Sequence, residues 1–313
     1  MSKALICGSL AYDTIMVFED SFANHILPNQ IHKLNVSFFV PSMQRVFGGV
    51  AGNIAYNLKL LGGNPVPMGT VGQDFGSYRQ HLESLEISLD GIITKQDMYT
   101  PQAFITTDQD NNQITAFHPG AMSLSYECQV SDHSDISIGI VGPDGRDGMI
   151  SHAKGFIDAG IPFIFDPGQA MPLFDGDDLK QFINQATWMA VNDYEYELVC
   201  ERTGMEAKEI ATHLEALIVT RGEKGSEIYI DGTVYHIPVV QAEAIVDPTG
   251  CGDAYRAGLL YGLMNNLDMQ TTGRIASLLG SIKIAHSGTQ NHSFSKQEFD
   301  EMFKQEFGYS FNL

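Results

Sequence analysis

The chain has 313 residues, 43% hydrophobic and 18% charged, with a formal net charge of -20 at pH 7, enough to bury one large core and carry an appendage. The acidic balance has no basic run to offset it, which excludes nucleic-acid binding by phosphate neutralisation. No stretch approaches the roughly 20 apolar residues that cross a bilayer, which excludes a spanning helix.

The opening MSKALICGSLAYD lacks a long apolar region with a small-residue cleavage site, so a cytoplasmic location is expected. Cys7, Cys128, Cys200 and Cys251 lie far apart with no metal-binding spacing, consistent with reduced thiols. In chain order, Ala4 to Ser9 reads as a buried strand opening into a Gly-Ser loop, with Asp13 just beyond the strand end. Thr14 to Phe47 is irregular, alternates briefly at Asn35 to Val40 and is punctuated by Pro28 and Pro41, as a small β-rich insertion would be. Gly48 to Gly63 starts on a glycine pair, places Ile54, Leu58 and Leu61 at helical spacing and stops on another pair. Val66 to Val71 reads as a strand and Phe75 to Leu85 as a helix. Gln102 to Thr107 and Gln113 to Phe117 read as a hairpin around the polar turn Asp108 to Asn112.

From Ile136 strands and helices alternate: Ile138 to Val141, Met149 to Ala159, Phe163 to Asp166, Leu179 to Ala186 and Trp188 to Val191. Such alternation predicts an α/β fold with a mainly parallel sheet. Leu217 to Thr220 adds a strand, Ser226 to Ile237 a hairpin around Asp231-Gly232, and the last third is mainly helical. No internal repeat or low-complexity linker interrupts the chain, so residues 1–313 read as one α/β body, with a lid formed by about residues 14–47 and 100–118.

Asp247-Pro-Thr-Gly-Cys-Gly-Asp253 precedes a segment with Ala257, Leu260 and Leu263 at helical spacing. A glycine-rich turn that opens a helix offers the N–H groups of Gly250, Cys251 and Gly252, with the positive end of the helix dipole, to an anion. Such a site needs no basic side chains, which suits an acidic chain. Asp253 in the first turn can take a proton from an attacking hydroxyl; it reads equally well as a helix cap. A Rossmann fingerprint is excluded because Tyr255 stands where a third small residue is needed, and no Walker A sequence occurs.

That stretch resembles the second signature of the ribokinase (PfkB) family of carbohydrate and nucleoside kinases, DTxGAGD, with Pro248 and Cys251 replacing the usual Thr and Ala. Gly48-Gly-Val-Ala-Gly-Asn53 resembles the first signature, at the family distance downstream of Gly8-Ser-Leu-Ala-Tyr-Asp13. The resemblance implies a ribokinase-like three-layer αβα sandwich with a small β-rich lid, and an ATP-dependent phosphotransferase acting on a hydroxyl. It implies that Asp253 is the base, that Gly250, Cys251 and Gly252 form the anion hole, and that Asp13, Gly48, Gly49 and Asn53 bind a ribose-like substrate. Asn192-Asp-Tyr-Glu195 resembles the family NxxE motif, which implies that Glu195 holds magnesium through water; alone it reads as an N-cap with a first-turn Glu. Thr220, Gly222 and Gly225 resemble the family's nucleotide loop, and a plain turn fits them as well. His286 lies where the family contacts adenine, and reads equally as a helix-end cation. Asp247 and Thr249 match positions that hold a monovalent cation, implying potassium. Arg256 reads either as a phosphate contact or as a partner of acidic surface.

The excursion from Thr14 to Phe47, the run from Asn53 to Leu58 and Gln113 to Met122 look most like the adenosine kinase branch. The expected reaction is therefore adenosine to AMP, a purine salvage step. Phe38, Phe39 and Phe117 can sandwich a purine or form the lid's own core. A ribokinase- or fructokinase-type sugar kinase and a non-catalytic nucleoside-binding protein remain open. A phosphosugar calls for a basic pocket, and only Lys33 and Arg45 stand in the lid. Monomer and homodimer are both open.

Overall fold

In strand β1 (Lys3–Cys7) successive side chains point to opposite faces. Ala4 and Ile6 enter one core while Leu5 and Cys7 enter another. That double burial makes the segment an unbroken apolar run, as a sheet covered on both faces requires. The computed structural model describes residues 2–26, 35–110 and 112–311; Pro28 and Lys33 lie outside them.

The other strands are β2 (Ala11–Val17), β3 (Ser42–Gly48), β4 (Pro65–Gly72), β5 (Ile92–Lys95), β6 (Gln102–Thr107), β7 (Gln113–His118), β8 (Ile136–Val141), β9 (Phe163–Phe165), β10 (Trp188–Asn192), β11 (Ala216–Thr220), β12 (Ser226–Ile230) and β13 (Thr233–Ile237). The helices are α1 (Val50–Leu60), α2 (Gly76–Ser84), α3 (Arg146–Ala159), α4 (Gly176–Gln185), α5 (Asp193–Thr203), α6 (Ala207–Ile210), α7 (Cys251–Met264), α8 (Met269–Ile284) and α9 (Lys296–Phe307).

Nine strands form one sheet in the order β13-β12-β11-β10-β9-β8-β1-β4-β5. It is parallel from β11 to β5, and the antiparallel edge is the β12–β13 hairpin. That hairpin turns at Asp231 and Gly232, both at positive φ, as a two-residue turn matched to strand twist requires. Helices α1, α2, α7, α8 and α9 bury Ile54, Leu82, Leu260, Ile275 and Phe299 on one face. Helices α3, α4, α5 and α6 bury Phe156, Phe182, Val199 and Ile210 on the other. The mainly parallel sheet expected from the alternating pattern is present, as are the three layers that the resemblance implies.

The second sheet has the order β3-β2-β6-β7. Strands β2 and β6 run parallel, and each pairs antiparallel with its outer neighbour. Two local expectations change. Asp13 lies inside β2 rather than just past a strand end, because Gly8 to Leu10 alone separate β1 from β2. Asn35 to Val40 is not a strand; its Phe38 turns inward, its ring 4.9 Å from those of Phe18 and Phe22. The insertion's strand is β3 instead, and β5 was not anticipated.

All four cysteines are free, Cys7 and Cys128 buried. Among the described residues no helix is long and apolar enough to cross a membrane.

Candidate functional site

Order in the large sheet departs from β1 in two directions, to β4 and to β8, and open α/β sheets place their clefts outside the carboxyl ends of such strands. Asp166 follows β9, Asn192 ends β10 and Thr220 ends β11. Helix α7 begins beside these ends. Gly250 caps it in the left-handed region at φ 78°, which only glycine enters without strain, and a Cβ there would meet Thr289 at 2.9 Å. Around Gly252 a Cβ would meet nothing within 4 Å, so the helix mouth is open.

The amides at that mouth are not equivalent. Cys251 donates its N–H to Pro248 O at 3.2 Å, so its expected place in the anion hole is taken by the turn itself. Among the described residues no acceptor outside the helix meets the Gly250 or Gly252 N–H, and both are among the orphan donors that a helix start leaves.

Asn53, on α1, donates from Nδ2 to Asp253 Oδ2 at 2.8 Å. Burial raises the Asp253 pKa to about 7, Asn53 pulls it down, and Asp166 and Asp13 push it up. The amide of Asn53 is itself oriented: Gln290 Nε2 donates to Asn53 Oδ1 at 2.9 Å and to Tyr78 Oη at 2.7 Å. Tyr78 Oη donates onward to Gly48 O at 2.9 Å. Each group in this chain fixes the donor or acceptor role of the next.

Gly48 closes β3 against β2, and a Cβ there would lie 2.6 Å from Asp13 Oδ2. Gly49 sits at φ 84°, where a Cβ would come within 2.5 Å of Ala11 N. These glycines let the chain pass close to the Asp13 carboxylate, whose pKa burial raises with help from Asp247. Asp13, Asn53 and Asp253 thus face one cleft with the α7 mouth.

Asn192 and Glu195 form a reciprocal capping box: Asn192 Oδ1 accepts from Glu195 N and Glu195 Oε2 accepts from Asn192 N, both at 2.8 Å. Burial raises the Glu195 pKa, and Asp166 adds to the rise. Arg256, one turn past Asp253, is buried and donates to both oxygens of Asp166 and to Ala190 O. Its partner is a buried acid, not acidic surface, and its Nη1 has no protein partner among the described residues. Among the described residues no cluster of three or more His, Cys, Asp or Glu side chains forms a metal cage.

Thr220 Oγ1 donates to Val191 O at 3.4 Å. Gly225 is at φ 82°, and a Cβ there would meet Ile237 O at 2.1 Å, whereas Gly222, at φ 55°, borders open space. Exposed Val239 and Ile245 lie on the coil between β13 and α7. His286 stands just past α8, its Nδ1 3.0 Å from Ile282 O.

Phe117 pairs with Ala103, which pairs with Asp13, so the three residues share a sheet face. Its ring is 53% exposed and lines a depression of about 680 Å3 with Arg45, Asp74, Tyr99, Gln102 and Phe104. Apart from Phe117, none of the cleft residues named above lines that depression.

The Asp247 and Thr249 positions do not fit an added monovalent cation. The Lys283 ammonium already donates to Asp247 O at 2.7 Å and His286 O at 3.1 Å. Burial lowers the Lys283 pKa against the opposing pull of Asp247. Asp247 accepts from the N–H groups of Thr249 and Gly288; burial would raise its pKa, but these bonds hold it below the usual range. Lys283, Gln290, Tyr78 and Asp166 were not singled out from the sequence.

A model described as pfkB family carbohydrate kinase matches residues 12–297. The nucleoside kinase of Methanocaldococcus jannaschii is 32% identical over 82% of this chain and 85% of its own. The structure of Burkholderia thailandensis nucleoside kinase in complex with inosine is 51% identical, covers 98% of this chain and 99% of that one, and superposes with a TM-score of 0.89. The same protein in complex with ADP-inosine gives 52% identity over 98% and 97% and a TM-score of 0.87. The architecture described above is therefore the ribokinase-like fold expected from the sequence.

Proposed function

Because this chain belongs to the pfkB family of carbohydrate kinases, we propose that it is a nucleoside kinase that transfers the γ-phosphoryl group of ATP to a ribose hydroxyl, with adenosine as acceptor and AMP as product. The observation that carries this reading is the Asp253 carboxyl in the first turn of α7, held at 2.8 Å by Asn53 and raised toward neutral pKa. A base with a pKa near the working pH combines a populated ionised form with useful basicity.

Asp13 and Asn53 bind ribose hydroxyls, with Gly48 and Gly49 leaving room for the sugar. Asp253 accepts the proton of the attacking hydroxyl as the oxygen reaches the γ-phosphorus, and the bond from that phosphorus to the ADP oxygen breaks. The Gly250 and Gly252 amides and the α7 dipole stabilise the transferring oxygens. Thr220, Gly222 and Gly225 line the nucleotide side, with His286 at its adenine end. Magnesium, when bound, neutralises phosphate charge; Glu195 suits it as an outer ligand through water, since one of its oxygens is spent on its cap. The small sheet acts as a lid that excludes water over the acceptor, and Phe117 on the Asp13 face supplies a ring for the base.

Similarity to the nucleoside kinase seen with inosine supports a purine nucleoside over a sugar. Arg45 gives no free cation for a phosphosugar, being tied to Asp74 at 2.8 Å and to the Tyr12 ring. ADP release from ATP and magnesium would be measured with adenosine, inosine, other nucleosides, ribose and fructose, beside Asp253→Asn. Adenosine-dependent turnover, falling roughly 10²–10⁴-fold in the variant, is expected. Turnover with sugars alone would overturn the nucleoside assignment, and tight adenosine binding without turnover would mark a binding protein.

A further inference from the structure

We propose that the Lys283 ammonium is a built-in replacement for the monovalent cation of the phosphate-binding turn, and that phosphoryl transfer by this chain needs no added potassium. The inference rests on the phosphotransferase reading above.

The side chain of Lys283 runs from α8 and is 0% exposed. Its ammonium reaches backbone carbonyls on both loops that flank the α7 mouth: Asp247 O at 2.7 Å and His286 O at 3.1 Å. The Asp247 carboxylate stands 3.9 Å away. Those loops are otherwise joined through Gly288 N–H to Asp247 Oδ2 at 2.8 Å, and through the Val246 and Asp247 N–H groups to Ile284 O. Carbonyl oxygens gathered around a buried positive charge are the environment a bare alkali ion would take. Here the charge is covalently tethered and of similar size. A second cation beside it would meet like-charge repulsion in a low dielectric.

The ammonium touches no reacting atom, so Lys283 is a positioning residue. By fixing Asp247 against the loop after α8 it fixes the turn that aims Gly250 and Gly252, an effect realised in the transition state. Its loss should therefore appear in kcat more than in the KM for nucleoside.

Kinetics and thermal melting of the intact chain would be compared in buffers whose monovalent cation is tetramethylammonium, too large for the cage, or potassium, or ammonium. Potassium should change wild-type kcat by less than about twofold. Lys283→Ala, which empties the cage, should lose at least about tenfold in kcat in tetramethylammonium and recover most of it in potassium or ammonium. Without substrate, the same two ions should raise the Tm of Lys283→Ala and leave that of wild type unchanged. Lys283→Met, which fills the space without charge, should be impaired and not rescued. Strong potassium activation of wild type, or full activity of Lys283→Ala in tetramethylammonium, would overturn the proposal. If Lys283→Ala does not fold, the wild-type titration still decides. Absence of turnover with every acceptor would instead sink the kinase reading, while the melting data would still test the cage.

Discussion

Burial pushes the Asp253 carboxyl up to about 7 while the Asn53 amide pulls it down, so its ionisation falls within reach of a rate measurement. A raised carboxyl is ionised only above its pKa, hence kcat/KM should climb with slope one as pH rises to about 7 and then level. Asn53→Ala removes the lowering hydrogen bond and should move the midpoint up by roughly one unit, with kcat reduced about 10–100-fold because the carboxylate is no longer aimed. A pH profile of both proteins checks this, and an unmoved midpoint would separate Asn53 from the proton transfer. Gln290 belongs to the same set, since its Nε2 decides which end of the Asn53 amide faces Asp253.

Strands β2 and β3 place Gly48 against Asp13 with no room for a methyl group. Gly48→Ala should therefore displace the carboxylate and raise the nucleoside KM by about tenfold or more, with little change in Tm because Gly48 does not use a positive φ; steady-state kinetics and melting measure both. Elements of this kind were largely legible in the sequence. The α7 start announces itself in the Gly250 turn, the β12–β13 turn in Asp231-Gly232, and the covered β1 in its unbroken apolar run. What escaped was decided by distant partners. Strand β5 is four residues long, too short for a period to register. The alternation at Asn35 to Val40 imitates a strand, but Phe38 is claimed by Phe18 and Phe22. Lys283 looks like any helical lysine until α8 packs against the Asp247 turn, and nothing local ties Gln290 to Asn53 or Arg256 to Asp166.

Across the whole molecule the Arg256–Asp166 pair joins α7 to the carboxyl ends of β9 and β10 in a buried setting. Removing one member leaves the other charge unpaired, so Arg256→Met should destabilise the fold by about 3–5 kcal/mol, whereas Asp166→Leu with Arg256→Met should recover most of that loss. Urea unfolding of the single and double variants tests it; a single variant as stable as wild type would contradict the pairing. The Asn53–Asp253 hydrogen bond spans 200 residues of sequence and the Gln290–Asn53 bond 237. Contacts of such separation form late, since long stretches of chain must be closed before they add stability. During synthesis Asn53 on α1 is made long before its partners and stays without them until α7 and the segment after α8 have been made. A chain cut before residue 253 would lack the carboxylate that Asn53 meets, and one cut before residue 290 the amide that orients Asn53.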